Sequence, residues 1–197
     1  MGMMRPRQIN PLPGYQPEVG GWLYALEEVR CRTLSLVEGV DQGTLDWEGP
    51  DGRENAIGSL LYHIAVSEIR WLFLGILQRD LPPSGGAGFH QRDGRGRLTS
   101  VLGVPLADHL ACLRCSREFL LEALRPMSLA EWRRPCSLPG GEGFEFTPEW
   151  AVFHLVEHEA GHAFQISGLK ARAARVFASR NGRDGLRVVM KGESPSR

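Results

Sequence analysis

The chain has 197 residues, 42% of them hydrophobic and 23% charged, and its 23 Lys and Arg are balanced by 23 Asp and Glu. That length makes one ordinary domain with enough apolar material for a core, which excludes a disordered chain. Zero formal charge argues against a protein built around phosphate backbones, so no nucleic-acid partner is expected.

The opening Met1-Gly2-Met3-Met4-Arg5-Pro6-Arg7 runs into Pro- and Gly-containing sequence, so no signal peptide is expected. The longest apolar run, Trp71 to Leu77, is too short to cross a bilayer, and no membrane partner is expected. A cytoplasmic location is the expectation, and the four cysteines, Cys31, Cys112, Cys115 and Cys136, do not suggest a disulfide framework.

Four long segments have helical periodicity. The first runs from about Pro17 to Val40, with Val19, Trp22, Leu23, Leu26 and Val29 on one stripe and Pro17 in the first turn. Asp41-Gln42-Gly43 and the turn Gly49-Pro50-Asp51-Gly52 end it. The second spans roughly Asn55 to Leu77, burying Ile57, Leu60, Leu61, Ile64, Trp71 and Leu72, until Pro82-Pro83 forbid continuation. A Gly-rich stretch from Leu81 to Ser100 follows. It lacks the spacing of a phosphate-binding loop and reads as a long surface connection suited to a crossover.

The third helix runs from about Pro105 to Leu124, with Leu106, Leu110, Leu113, Phe119, Leu120 and Leu124 apolar. Ser128 opens one short turn as its cap, and Cys136 to Phe146 makes a small hairpin or ordered loop. The fourth helix opens at Thr147-Pro148-Glu149, with Thr147 as cap, and lasts to about Phe177; Val152, Phe153, Leu155, Val156, Phe164, Ile166 and Leu169 are its apolar residues. From Lys170 onward eight Lys and Arg stand against Asp184 and Glu193, a net of +6 that reads as a frayed terminus. With no strand period, the expectation is an all-α four-helix bundle at 17–177, an N-terminal extension at 1–16 and a basic flexible tail at 178–197.

Three of the six histidines fall in the run His154-Leu155-Val156-Glu157-His158-Glu159-Ala160-Gly161-His162, followed by Ala163-Phe164-Gln165. At about 100° per residue, these three imidazoles span about 80° of one helix face, with Gln165 in the same wedge. Neighbours four apart are about 6 Å apart along the axis, close enough for two imidazoles to chelate one ion. His154 and His162, about 12 Å apart, cannot comfortably share it, so His158 belongs to whichever pair chelates. Three buried histidines without partners would cost several kcal/mol, which favours a metal site. A third ligand must come from another helix. His63, at the edge of the second helix's apolar stripe, points obliquely into the core, where by itself it reads as a satisfied core histidine and only in company as a ligand.

Leu60-Leu61-Tyr62-His63-Ile64-Ala65-Val66-Ser67-Glu68-Ile69-Arg70-Trp71-Leu72, followed by the late histidine run through Gln165, resembles the DinB superfamily of bundle proteins over roughly residues 17–177. The resemblance implies a metal held by His63, His158 and His162, with His154 as outer support or core. Where members often carry H-R-G-Q, this chain has His162-Ala163-Phe164-Gln165, which leaves the ligands intact and puts a borrowed substrate contact at Gln165 in doubt. Glu68 fits the same pattern; its readings are pairing with Arg70 or a loop arginine, or orienting a ligating imidazole. His90 on the Gly-rich loop could approach the ion, though nothing in the sequence places it there.

Three histidines with open positions make a reactive ion, and several characterised relatives transfer a low-molecular-weight thiol (bacillithiol, mycothiol or glutathione) to an electrophile or isomerise with its help. Imidazole suits zinc or nickel first, then iron, copper or manganese. The expectation is one divalent ion and a thiol transferase acting on a small molecule, with no side chain assigned as catalytic. The alternative is a non-catalytic metal-binding stress-response protein acting as a dimer, and in either case a homodimer is expected.

Two competitors remain. His158-Glu159-Ala160-Gly161-His162 is literally H-E-x-x-H, a metallohydrolase signature with Glu159 as its base, but Gln165 and Gly168 break the longer metzincin pattern. His109, Cys112 and Cys115 share a helical face, and the two cysteines read as core thiols.

Overall fold

The structure is a computed structural model that describes residues 8–82, 97–139 and 144–191, with side chains to residue 179. Six helices occur among them: α1 Pro17–Val37, α2 Gln42–Leu45, α3 Ile57–Arg70, α4 Leu106–Leu124, α5 Leu129–Trp132 and α6 Pro148–Lys191. The long ones are α1, α3, α4 and α6. The chain stops where its chemistry says it should. Pro17 occupies the first turn of α1; Ser128 and Glu131 close a reciprocal capping box on α5; Thr147 Oγ1 accepts the Trp150 N–H at the start of α6.

α1 packs mainly on α6 and α3 mainly on α4, while α3 also meets α6 and α4 meets α1. α1 and α3 therefore lie on one diagonal. Residues 38–56 make that diagonal step, and the long connection after α3 joins neighbouring helices. Cys136 and Phe146 exchange two backbone hydrogen bonds, at 2.7 and 3.0 Å, and so close the loop expected before the last helix.

Four features depart from the expectation. α3 does not end as an α-helix: Trp71–Ile76 widen into a π turn, with Leu77 N–H donating to Leu72 O at 2.8 Å. Gln78, at φ 53°, caps that turn by donating to Leu74, Gly75 and Ser137 carbonyls. α6 continues past Phe177 to Lys191, since no proline intervenes before Pro195. The extension at 1–16 is partly built in: Leu12 and Tyr15 pack on the core, and Tyr15 Oη donates to Leu121 O. Phe119 and Phe164 point outward, Phe164 at 82% exposure, because they lie about a third and about half a turn off their helices' inner stripes.

The interior is two apolar layers separated by charge. One layer contains Leu23, Leu26, Leu72, Leu120, Trp132 and Leu155; the other Val37, Ile57, Leu60, Ile64, Leu113 and Ile166. Between them each long helix contributes one charged residue: Arg30, Glu68, Arg117 and Glu159, each no more than 5% exposed. Arg30 donates to both Glu159 oxygens at 2.7 and 3.2 Å and to Leu113 O at 2.6 Å, and its Nη2 lies 3.1 Å from Glu68 Oε1. Arg117 donates to Glu68 at 2.8 and 2.5 Å, to Glu159 at 3.1 Å and to Leu26 O at 3.2 Å. It also pairs at 2.5 Å with Glu27 at the rim, and Ser116 donates to Glu68 Oε2 at 2.6 Å. The four buried charges sum to zero and their donors and acceptors are largely matched, the condition for burying ions at tolerable cost.

Ile57–Ile76 is apolar and long enough to cross a membrane by composition, and 67% of its most apolar window is buried inside the bundle. That surface faces the core layers.

Burial alone would raise the Glu68 carboxyl pKa, but Arg117, Arg30 and the Ser116 hydroxyl outweigh it and hold it below the ordinary value. A depressed folded pKa gives stability that is complete above about pH 4.3 and lost as pH falls through the folded value, so the urea midpoint should drop only below about pH 4. Arg117→Met should remove about 3–5 kcal/mol in the same measurement at pH 7, because it leaves buried carboxylate charge uncompensated.

Candidate metal centre

Beside the charged layer, on the side where α3 meets α6, three imidazoles converge. His63 comes from α3 and is buried; His158 and His162 are one turn apart on α6 and half-buried. One ring nitrogen from each lies within 4.8 Å of the other two. His63 Nε2 is 3.0 Å from His158 Nε2, and His162 Nε2 is 3.1 Å from it. Gln165 Oε1 sits 3.0 Å from His162 Nδ1. A carbonyl oxygen only accepts, so Nδ1 carries the proton and the Nε2 lone pair of His162 is directed at the other two rings.

The two shorter spacings, His158 to His63 and His158 to His162, fit an ion. Two ligands each about 2.0–2.1 Å from a metal, and about 90–110° apart around it, are separated by about 2.9–3.4 Å. With Nε2 unprotonated, each of the three imidazoles would offer one lone pair to an ion held between them. The donor set is all-nitrogen, which suits zinc, nickel or iron and not calcium or magnesium.

The other expected residues fall in different places. His154 is outside the triplet: it stacks on Trp150 with rings parallel within 1° at 5.3 Å and tilts against Trp71 at 5.0 Å. Burial lowers its pKa, partly offset by Glu157, so it is neutral at pH 7. Gln165 supports His162 through the bond already described. Glu68 turns into the charged layer, where Arg30, Arg117 and Ser116 hold it, and among the described residues it pairs neither with Arg70 nor with a loop arginine. Glu159 does the same, so the H-E-x-x-H glutamate points away from the imidazoles, about 100° round the helix from His158. Cys112 and Cys115 are exposed and not core thiols, because the inner stripe of α4 runs through His109, Leu113, Ser116 and Leu120. His90 lies outside the described residues.

Sequence reasoning missed the wall beside the triplet. Trp71, Phe146 and Trp150 pack edge-on or tilted at 5.1–6.0 Å, with Phe144 against Phe146 and Trp150. Trp150 and Phe144 remain 38% and 46% exposed. Gly75 lets the wall close: a Cβ there would stand 3.0 Å from the Trp71 ring and 3.4 Å from Phe146. The helical spacing of Trp150 with His154 and His158 was the available signal.

The fold and this cluster define a four-helix bundle with a three-histidine site that can hold a metal ion. A family model for the DinB superfamily matches residues 25–166, and the chain belongs to that superfamily. Among curated proteins, the uncharacterized protein YkkA of Bacillus subtilis (strain 168) is 26% identical over 156 residues, which cover 78% of this chain and 87% of that protein.

If the three imidazoles bind one ion, purified protein should take up one equivalent of zinc, and alanine at His63, His158 or His162 should abolish tight uptake by calorimetry. His154→Ala should leave the stoichiometry at one. Gln165→Ala should weaken binding about tenfold or more, the usual effect of losing a hydrogen bond that orients a ligating imidazole.

Proposed function

We propose that this chain is a metal-dependent transferase in which His63, His158 and His162 hold one divalent ion and a low-molecular-weight thiol attacks a small electrophile beside it. The observation that carries the reading is the convergence of three Nε2 atoms from two helices, with no fourth protein ligand among the described residues of the cluster. An ion held by three imidazoles with open positions supplies Lewis acidity that brings a thiol's pKa toward neutrality. Zinc or nickel is the proposed metal.

The chain's own residues do the rest. Gln165 holds His162 in one tautomer and orientation, so the site is set before substrate arrives. The Trp71, Trp150 and Phe146 wall offers an apolar face to the electrophile and keeps water from one side of the reaction. In the transfer the thiol sulfur forms a bond to the electrophilic carbon, the leaving group departs with its electron pair, and the thiol proton passes to solvent. A hydrolase reading would need Glu159 as base, and that carboxylate is committed to Arg30 and Arg117. Four free cysteines accord with a cytoplasmic setting where small thiols stay reduced.

Zinc- or nickel-loaded protein mixed with a panel of small thiols and a chromogenic aryl halide should accelerate conjugation with at least one thiol. His158→Ala should bring the rate to background. One bound equivalent of metal with no acceleration by any thiol would replace this reading with a non-catalytic metal-binding role.

A further inference from the structure

Cys112 and Cys115 belong neither to the imidazole cluster nor to the charged layer. All four cysteines are free; Cys136 is buried, whereas Cys31, Cys112 and Cys115 are exposed. Free cysteine is among the most buried residue types, and where packing does not place it, its sulfur chemistry usually does. Both residues sit mid-helix in α4, more than one turn from either end. With Asp108 and Phe119 they fall within about 60° of one helix face. His109 does not join them: its ring is buried, and a Cβ on Gly58 would stand 2.9 Å from its Nε2.

Their spacing selects what can join them. Residues three apart on a helix hold their Cβ atoms about 5–6 Å apart. A disulfide needs Cβ atoms about 3.5–4.5 Å apart, so oxidising this pair would distort α4. Two sulfurs bound about 2.3 Å from one ion at a tetrahedral angle are about 3.8 Å apart. Each sulfur lies one bond beyond its Cβ, so the side chains can reach that separation by rotation. The two thiols already sense each other: burial first, then Cys115 and Asp108, push the Cys112 thiol above its ordinary pKa. Two thiolates side by side repel, and a cation between them removes that cost. Burial and then Cys112 likewise push the Tyr62 hydroxyl up, which sets the pair at the seam of α3 and α4, whereas His63 faces α6.

We propose that Cys112 and Cys115 form a dithiolate site for a soft ion that needs only two protein sulfurs, trivalent arsenic being the class that fits. The histidine triplet is the one group of three or more ligating side chains among the described residues, so the two thiols act as a pair. Zinc, which takes four ligands, would be half held there. A monosubstituted arsenic(III) brings its own carbon ligand and completes itself with two sulfurs. With an arsine oxide, two As–S bonds form, the As=O bond breaks, and the oxygen leaves as water with both thiol protons; no atom changes oxidation state. Soft sulfur and imidazole prefer different ions, so the two sites fill independently. Nothing in the dithiolate site depends on the transferase chemistry proposed for the imidazoles.

The test is native mass spectrometry of the full chain, reduced and metal-free, titrated with phenylarsine oxide. One equivalent should add, with loss of one water per adduct. Cys112→Ser or Cys115→Ser should each weaken uptake about a hundredfold or more, because the second sulfur binds as an intramolecular ligand. Cys31→Ser should bind as the parent does. All three variants should keep the parent's melting temperature, which marks the loss as one of ligands rather than of fold. In a separate arm, zinc uptake by the double variant Cys112→Ser, Cys115→Ser should stay unchanged. No adduct, an adduct of parent affinity in either single variant, or one lost on Cys31→Ser overturns the site. Loss of zinc uptake by the double variant overturns its independence from the imidazoles.

Discussion

Everything in this bundle is arranged around four charges that had to be buried together. Arg30, Glu68, Arg117 and Glu159 come from four different helices and meet at one level between two apolar layers. Such a cluster contributes little net stability compared with apolar residues of the same size, since desolvation offsets most of the attraction. Its effect is on register. Sliding α3 or α6 by one turn, about 5.4 Å, would carry one carboxylate into hydrocarbon and leave two buried guanidinium groups sharing the other, a state far more costly than a cavity.

That constraint reaches the histidines through the helices themselves. Glu159 follows His158 directly, and Glu68 lies five residues, about 7.5 Å, along α3 from His63. With both carboxylates clamped to the same pair of arginines, the axial positions of His63 and His158 are fixed relative to each other to within side-chain freedom. The two faces of α6 have divided labour: one locks the helix to the core, the other presents imidazoles. The H-E-x-x-H spacing, which elsewhere supplies a base next to a metal, here places its glutamate on the locking face.

Much of this was legible in the residues. The helices followed from period and punctuation: Pro17, Ser128 and Thr147-Pro148 mark starts that the backbone respects. The histidine face of α6 followed from spacing alone, and the choice of His63 from a resemblance whose superfamily the chain shares. What was not legible depends on partners distant in sequence. Glu68 could not be read correctly because its partners lie on α1 and α4, although Arg30 and Arg117, charged residues on apolar stripes, were the signal that a buried ion cluster existed. The π turn at Trp71–Ile76 includes Gly75, over which Trp71 and the distant Phe146 pack, a contact that helical periodicity does not register.

The remaining asymmetry runs along α6. Trp150, His154, His158, His162, Gln165, Leu169 and Arg172 occupy about 120° of one face, so a single helix carries an aromatic end, an imidazole centre and a cationic end in order. Each end has its complement on other elements: Trp71 and Phe146 at one, Arg53 and Arg97 at the other. Fixed register keeps both ends at set distances from the imidazoles, since their spacing is set by the helix and held by the buried charges behind it.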